Sequence, residues 1–178
     1  MNLRIQTAGP EDAPTVHQLV KQAFQEYTRP GLFPRSLSAL EETLEEVEND
    51  IRTREVLLAW YDEHPAGTVR YHLLPDGTAY FGRLGVLAPY RHKGIARALL
   101  AVVEGAVAEA GAHALRLHTP RRLSEAAAFY TRLGYKVQAV EEKNGIVRYH
   151  MVKALVIGTV QHGGERRRES GDICHAGG

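Results

Sequence analysis

A chain of 178 residues with 44% hydrophobic and 24% charged residues is the size and composition of one soluble globular domain with room for a substantial core. Its formal net charge of +1 supplies no general field to attract nucleic acid or an anionic membrane, so any basic site has to be local. The one cysteine, Cys174, excludes an internal disulfide framework and a cysteine-based metal cluster.

In chain order, Leu3-Arg4-Ile5-Gln6-Thr7 alternates as a strand, and Gly9-Pro10-Glu11-Asp12 reads as a helix start with proline and acids in its first turn. Val16, Leu19, Val20, Ala23 and Phe24 then recur with helical period. Residues 27–34 form a loop punctuated by Pro30, Gly31 and Pro34, after which Ser38 and Glu41 match a capping box that opens a second helix. Leu37, Leu40, Leu44, Val47 and Ile51 line one face of that helix, and its glutamates form a solvated opposite face. Residues 56–61, 67–73 and 78–86 are short runs rich in β-formers, an antiparallel meander.

From residue 93 to Gly111 the chain is strongly helical, with Ile95, Leu99, Val102, Val103, Ala106 and Ala110 as its apolar stripe and Gly111 past its end. A strand over 114–118, a short helix over 124–133 and a last hairpin of 135–140 with 146–152 across Lys143-Asn144-Gly145 complete the order. The result is β-α-α-β-β-β-α-β-α-β-β, an α/β (α+β) arrangement. It implies a mixed, mostly antiparallel sheet of about seven strands flanked by four helices. Residues 1–157 are expected to form this domain. Residues 158–178, dominated by Gly, Arg, Glu and His, are expected to be a disordered polar tail, with Arg166-Arg167-Arg168 balanced by acids. Residues 1–25 lack the charged start and apolar run of a signal peptide, and no stretch approaches the roughly 18 apolar residues of a membrane span, so the expected setting is the cytoplasm.

The most informative stretch runs from a strand through a basic loop, Arg91-His92-Lys93-Gly94-Ile95-Ala96-Arg97, into the long helix. Unpaired N–H groups and a partial positive charge make a helix N-terminus a ready anion site. Gly94 and Ala96 let phosphate oxygens approach the backbone, while Arg91, Lys93 and Arg97 add charge, an arrangement suited to a pyrophosphate. A short motif of this kind is common by itself, and its context gives it weight.

That context resembles the GNAT N-acetyltransferase superfamily. Leu84-Gly85-Val86 followed by Pro89-Tyr90-Arg91-His92-Lys93-Gly94-Ile95-Ala96 resembles the family's motif A, with Ala96 where the family usually has glycine. Ala126-Ala127-Ala128-Phe129-Tyr130-Thr131-Arg132-Leu133-Gly134-Tyr135 resembles its motif B, and the element order agrees from Leu3 to about Ala154. The resemblance implies that the strands carrying Val86 and Leu117 splay into a cleft for acetyl-CoA. Leu84 and Val86 would pair with the pantetheine arm, and backbone N–H groups of His92 to Ala96 would hold the pyrophosphate.

For the chemistry, the resemblance places the Val86 N–H near the thioester oxygen and Tyr130 as the acid that protonates the departing thiolate. A tyrosine of unperturbed pKa, about 10, carries a proton at neutral pH. Many members carry Glu as base where this chain has Gly82. His118 is the candidate instead, at the strand end where ribosomal-protein N-terminal acetyltransferases have Glu, since imidazole titrates near neutrality. A structural role for His118, and a water held by Tyr80 or His72, stay open beside it. Where relatives place Asn before the motif B helix this chain has Leu123 and Ser124, the latter read as an N-cap. Arg121 and Arg122 would lie beside the mouth, either solvated or meeting a phosphate or an acidic substrate.

In this fold, residues 27–35 and 141–148 border the acceptor. Tyr27, Arg29, Phe33, Arg35 and Tyr71 would form an aromatic and basic pocket for a carboxylate-bearing amine. The expected partner is a small-molecule amine, with a protein N-terminus or lysine as the nearer alternative and a non-catalytic acyl-CoA sensor as the other. No metal is expected, a homodimer stays open, and the lack of interleaved basic and aromatic residues argues against nucleic acid.

Overall fold

The computed structural model describes residues 2–34 and 36–156. Arg35, Cys174 and the tail expected at 158–178 therefore lie outside the described residues. Alternation and helical periodicity resolve, across the described residues, into seven strands and five helices. In chain order these are β1 (Leu3–Thr7), α1 (Ala13–Phe24), α2 (Ser38–Glu41), α3 (Leu44–Thr53), β2 (Glu55–Tyr61), β3 (His64–Leu73) and β4 (Ala79–Val86). There follow α4 (Ile95–Glu109), β5 (Ala114–Pro120), α5 (Ser124–Arg132), β6 (Lys136–Lys143) and β7 (Ile146–Ala154). No described helix is long and apolar enough to cross a membrane.

The strands form one sheet in the order β1-β2-β3-β4-β5-β7-β6, antiparallel except for the parallel contact of β4 with β5. One core lies between the sheet and α4, where Leu99, Leu100 and Val103 meet Val69, Phe81 and Leu117. The other lies beneath α1 and α3, where Val16, Leu19, Val20 and Val47 meet Val56 and Leu58. Each fully buried side chain of this kind contributes ~1.5–3 kcal/mol. The stripe of α4 differs from the expected one: Leu100 and Val107 are buried, while Val102 is 43% exposed. The buried set 95, 99, 103 and 107 steps by four, which turns Val102 outward. The last hairpin turns through Asn144 and Gly145, both with positive φ (55° and 77°), the pair of conformations a two-residue turn requires.

The second expected helix is broken in two, so there are five helices rather than four. Leu37, not Ser38, occupies the N-cap of α2, and no side chain caps it. The capping box belongs to α3 instead: Thr43 Oγ1 accepts from the Glu46 N–H at 3.2 Å, and the Thr43 N–H donates to Glu46 Oε2 at 2.8 Å. Between them Glu42 leaves the helical conformation (ψ 133°), which turns its carboxylate inward onto Arg70 of β3. Thr43→Ala should therefore lower the unfolding free energy by about 1 kcal/mol in urea titration, whereas Ser38→Ala should leave it nearly unchanged.

Candidate active site

Strands β4 and β5 pair only at Ala79↔Leu115 and Tyr80↔Arg116 and then part. The cause lies on the other side of β4, where the register with β3 slips between Thr68 and Arg70 and Arg83 takes a φ of 54°. Such a bulge bends the strand that carries it. The gap opens a cleft of about 1340 Å³ whose lining includes Leu84, Val86, Gly94, Leu117 and Tyr130. The Leu87 N–H donates to the Ala66 carbonyl on the β3 side at 2.9 Å. Alternation of N–H directions along a strand then sends the Val86 N–H to the opposite edge, the one β5 has left open.

The N-terminus of α4 opens on the same cleft. Gly94 is its N-cap in a left-handed conformation (φ 78°), no side chain caps the first turn, and His92 also has positive φ (60°). Consecutive N–H groups in such a turn converge on an anion, and an uncapped helix N-terminus leaves them unpaired. Ile95, 2% exposed, anchors the turn in the core, while His92, Ala96 and Arg97 line the cleft. Arg91 also lines the cleft, with its guanidinium engaged by neighbours. It pairs with Glu26 at 2.8 Å and donates to the carbonyls of Val86 and Ala23 at 3.1 and 3.3 Å, which braces the loop against the end of α1. Lys93 lies over the Tyr61 ring, 5.3 Å from its centroid, and is absent from the cleft lining.

From α5, Phe129, Tyr130 and Arg132 line the cleft. Tyr130 packs edge-on against Phe129 (5.4 Å) and Tyr135 (6.0 Å) and at a tilt to Phe81 (5.9 Å). Its hydroxyl has no hydrogen-bond partner among the described residues, and burial pushes its pKa far up, reinforced by Tyr27 and Tyr80. Tyr130 therefore keeps its proton throughout the neutral range. Ser124 stands inside the helix, with Leu123 at its N-cap and no side-chain cap bond.

His118 on β5 faces His150 on β7, ring on ring at 4.8 Å. Its Nδ1 lies 3.1 Å from the Tyr80 hydroxyl and its Nε2 3.3 Å from Glu141 Oε2. Burial, then the charge of Arg148, lower its pKa despite Glu141. In the neutral ring, Nε2–H donates to Glu141 and Nδ1 accepts from the Tyr80 O–H. Tyr80 and His118 both line the cleft, and with both ring nitrogens engaged a proton reaches Nδ1 through the Tyr80 hydroxyl.

On the acceptor side Tyr27 lines the cleft, whereas Arg29, Phe33 and Tyr71 do not. Alternation explains Tyr71: it points to the α4 core beside Phe81, while its neighbours Arg70 and His72 face the other side of the sheet. Arg54, Arg83 and Arg148 line the cleft instead. A strand as apolar as Gly67-Thr68-Val69-Arg70-Tyr71 signals in its arginine a buried ion pair, and that signal would have led to Glu42 and Arg83. Arg122 donates to the carbonyls of Gly31 and Leu32 at 3.0 and 2.9 Å, and a Cβ at Gly145 would stand 3.4 Å from Pro34. The loop around Gly31 to Pro34 is thus tied to the start of α5 and to the β6–β7 tip, although none of residues 28–34 lines the cleft.

A family model described as the Acetyltransferase (GNAT) family matches residues 16–135. The protein YyaT of Bacillus subtilis (strain 168) is 30% identical over 100 residues, which are 56% of this chain and 65% of that protein, so the chain spans just under two thirds of this relative. Among solved structures, a paia N-acetyltransferase from Thermoplasma acidophilum in complex with coenzyme A superposes with a TM-score of 0.73 at 22% identity, covering 86% of this chain and 99% of that one. The ribosomal-protein-S18-alanine N-acetyltransferase from Escherichia coli superposes with a TM-score of 0.68 at 15% identity, covering 90% and 98%. At these identities the structural likenesses concern the fold.

Proposed function

This chain belongs to the GNAT acetyltransferase family, and from that premise we propose that it moves an acetyl group from acetyl-CoA to a primary amine of a small molecule. One observation carries the reading: the open edge of β4 at Val86 and the uncapped N-terminus of α4 face a single cleft that also holds Tyr130. An extended amide chain fits the strand edge and a pyrophosphate fits the helix turn, so the residues present suit acetyl-CoA. Leu84 and Val86 would hold the arm, and the backbone of His92 to Ala96 the phosphates. Arg97 would add charge, while Lys93 and Arg91 support the loop rather than the anion.

Acetyl-CoA supplies a thioester carbonyl for the amine to attack. The Val86 N–H donates to the carbonyl oxygen as negative charge develops there. Tyr130 holds the proton that the departing sulfur takes. His118 receives the amine's proton through Tyr80, which gives its own hydroxyl proton to Nδ1 as it takes one from the amine. The cytoplasmic setting and the absence of a metal requirement belong to the same proposal.

Thiol release from acetyl-CoA, followed with a panel of small amines, tests the reading. Turnover with at least one amine is expected, and CoA binding without turnover across the panel would reduce the chain to a ligand-binding module. Because His118 is shifted downward, the acidic limb of the rate profile should fall below the ordinary imidazole value of about 6.5. Activity is then full above that limb and lost as pH drops through it. In His118→Ala, measured with the same amine so that the substrate's own titration is common to both, that limb should vanish; if it persists, the base is another group.

A further inference from the structure

Arg54, Arg70 and Arg83 share two carboxylates, Glu42 and Asp50, beneath the acceptor side of the cleft. Arg70, 3% exposed, takes the best geometry of both: Glu42 at 2.5 and 2.8 Å through its two oxygens, and Asp50 at 2.8 Å. Arg83 keeps a single Nε contact to Glu42 at 3.3 Å, and Arg54 a single Nε contact to Asp50 at 3.5 Å. The terminal nitrogens of Arg54 and Arg83 have no hydrogen-bond partner among the described residues, and both side chains line the cleft. Within this set of ion pairs three guanidinium groups meet two carboxylates.

Arg148 faces the same space from β7, with one nitrogen on Glu141 at 3.1 Å. These arginines converge on one place. Burial raises the pKa of the Tyr80 hydroxyl, and against it Arg148, Arg83 and Arg54 each favour the ionised form. Opposing negative charge is sparse. Among the acidic residues of the cleft lining, Glu26 is held by Arg91, Glu125 at the start of α5 acts on Tyr27, and Glu41 has no ion pair among the described residues.

We propose that the acceptor is a small primary amine that also carries an anionic group, a carboxylate or a phosphate, and that Arg54 and Arg83, assisted by Arg148, hold that group. The inference rests on the acetyltransferase reading above. Guanidinium forks pair bidentately with two oxygens of a carboxylate or a phosphate, and desolvation in a cleft strengthens the pairing. Anchoring the acid there leaves the amine beside Tyr80 and His118, where its proton is taken. A polycation meets like charge in the same place and is rejected.

Calorimetry on the CoA-loaded chain tests this with glutamate against its diamide, O-phosphoethanolamine against ethanolamine, and spermidine. At least one acid should bind tenfold or more tightly than its neutral counterpart, with spermidine weakest; which acid wins decides between carboxylate and phosphate. Arg54→Gln, on an exposed side chain, and Arg83→Lys, which keeps charge but loses the fork, should each erase most of that preference with CoA affinity unchanged. Equal binding of the neutral counterparts, no binding of either acid, or a preference that survives both variants would overturn it. Thiol release measured in parallel separates the two readings. Acid-selective binding without release overturns the activity and leaves only the anion site standing, while release with ethanolamine or spermidine but neither acid does the reverse.

Discussion

Tyr130→Phe should lower kcat by roughly ten- to a thousand-fold, the low end of what a positioned acid contributes, with CoA affinity little changed. The variant keeps the ring and hence its packing on Phe81, Phe129 and Tyr135. It removes only a hydroxyl that no described residue bonds, so the unfolding free energy should stay within about 0.5 kcal/mol of the parent. That pairing of results separates chemistry from packing. A residue that merely fills space would lose neither rate nor stability on this change, so an unchanged kcat would remove Tyr130 from the mechanism. The upward shift of its hydroxyl also predicts that Tyr130 contributes no basic limb to the rate profile within the neutral range.

Arg70→Ala should cost about 3–5 kcal/mol of stability in urea unfolding, because it leaves the carboxylate of Glu42, itself 5% exposed, with only the single Arg83 Nε contact. Exchanging both partners, as in Arg70→Met with Glu42→Leu, should restore most of that loss, since an apolar pair of similar volume carries no desolvation penalty. Arg70 already falls short of full satisfaction, with its buried Nε lacking a partner. The pH dependence follows from the direction of the shift. Burial pushes the Glu42 carboxyl up, but Arg70 and then Arg83 outweigh it and hold the group below the usual carboxylate range. Its contribution is therefore complete above that range and is lost as pH falls through the lowered value.

Local chemistry made much of the fold legible. The strand ending at Val86, the turn at Gly94 and the Asn144-Gly145 hairpin are each set by neighbours in sequence, and they lie where periodicity and turn residues place them. What escaped is set by partners far along the chain. Two capping boxes stand in tandem, at Ser38 with Glu41 and at Thr43 with Glu46, and either could open a helix. The choice is made by Arg70, 28 residues from Glu42, which draws that carboxylate inward and breaks the helix there. Arg91 sits in a phosphate-binding pattern, yet Glu26, 65 residues away, engages its side chain. Tyr71 has the composition of a pocket residue, but strand alternation faces it into the opposite core. The arginines of the acceptor side come from three separate elements that only the folded sheet brings together.

The parting of β4 from β5 after two paired positions has a consequence for the resilience of the whole molecule. It leaves a seam through the middle of the sheet, along which β1 to β4 and β5 to β7 are joined mainly by the side chains of the core beneath. Backbone groups that a continuous ladder would satisfy are left to water, and amide exchange is expected to be fastest among strand residues along this seam. A ligand that laces the two edges with its own amides closes that fault. By mass action it stabilises the native state by about 2.7 kcal/mol when present at a hundred times its dissociation constant. On the proposed reading, the stability of this fold is thereby coupled to the supply of the molecule it binds.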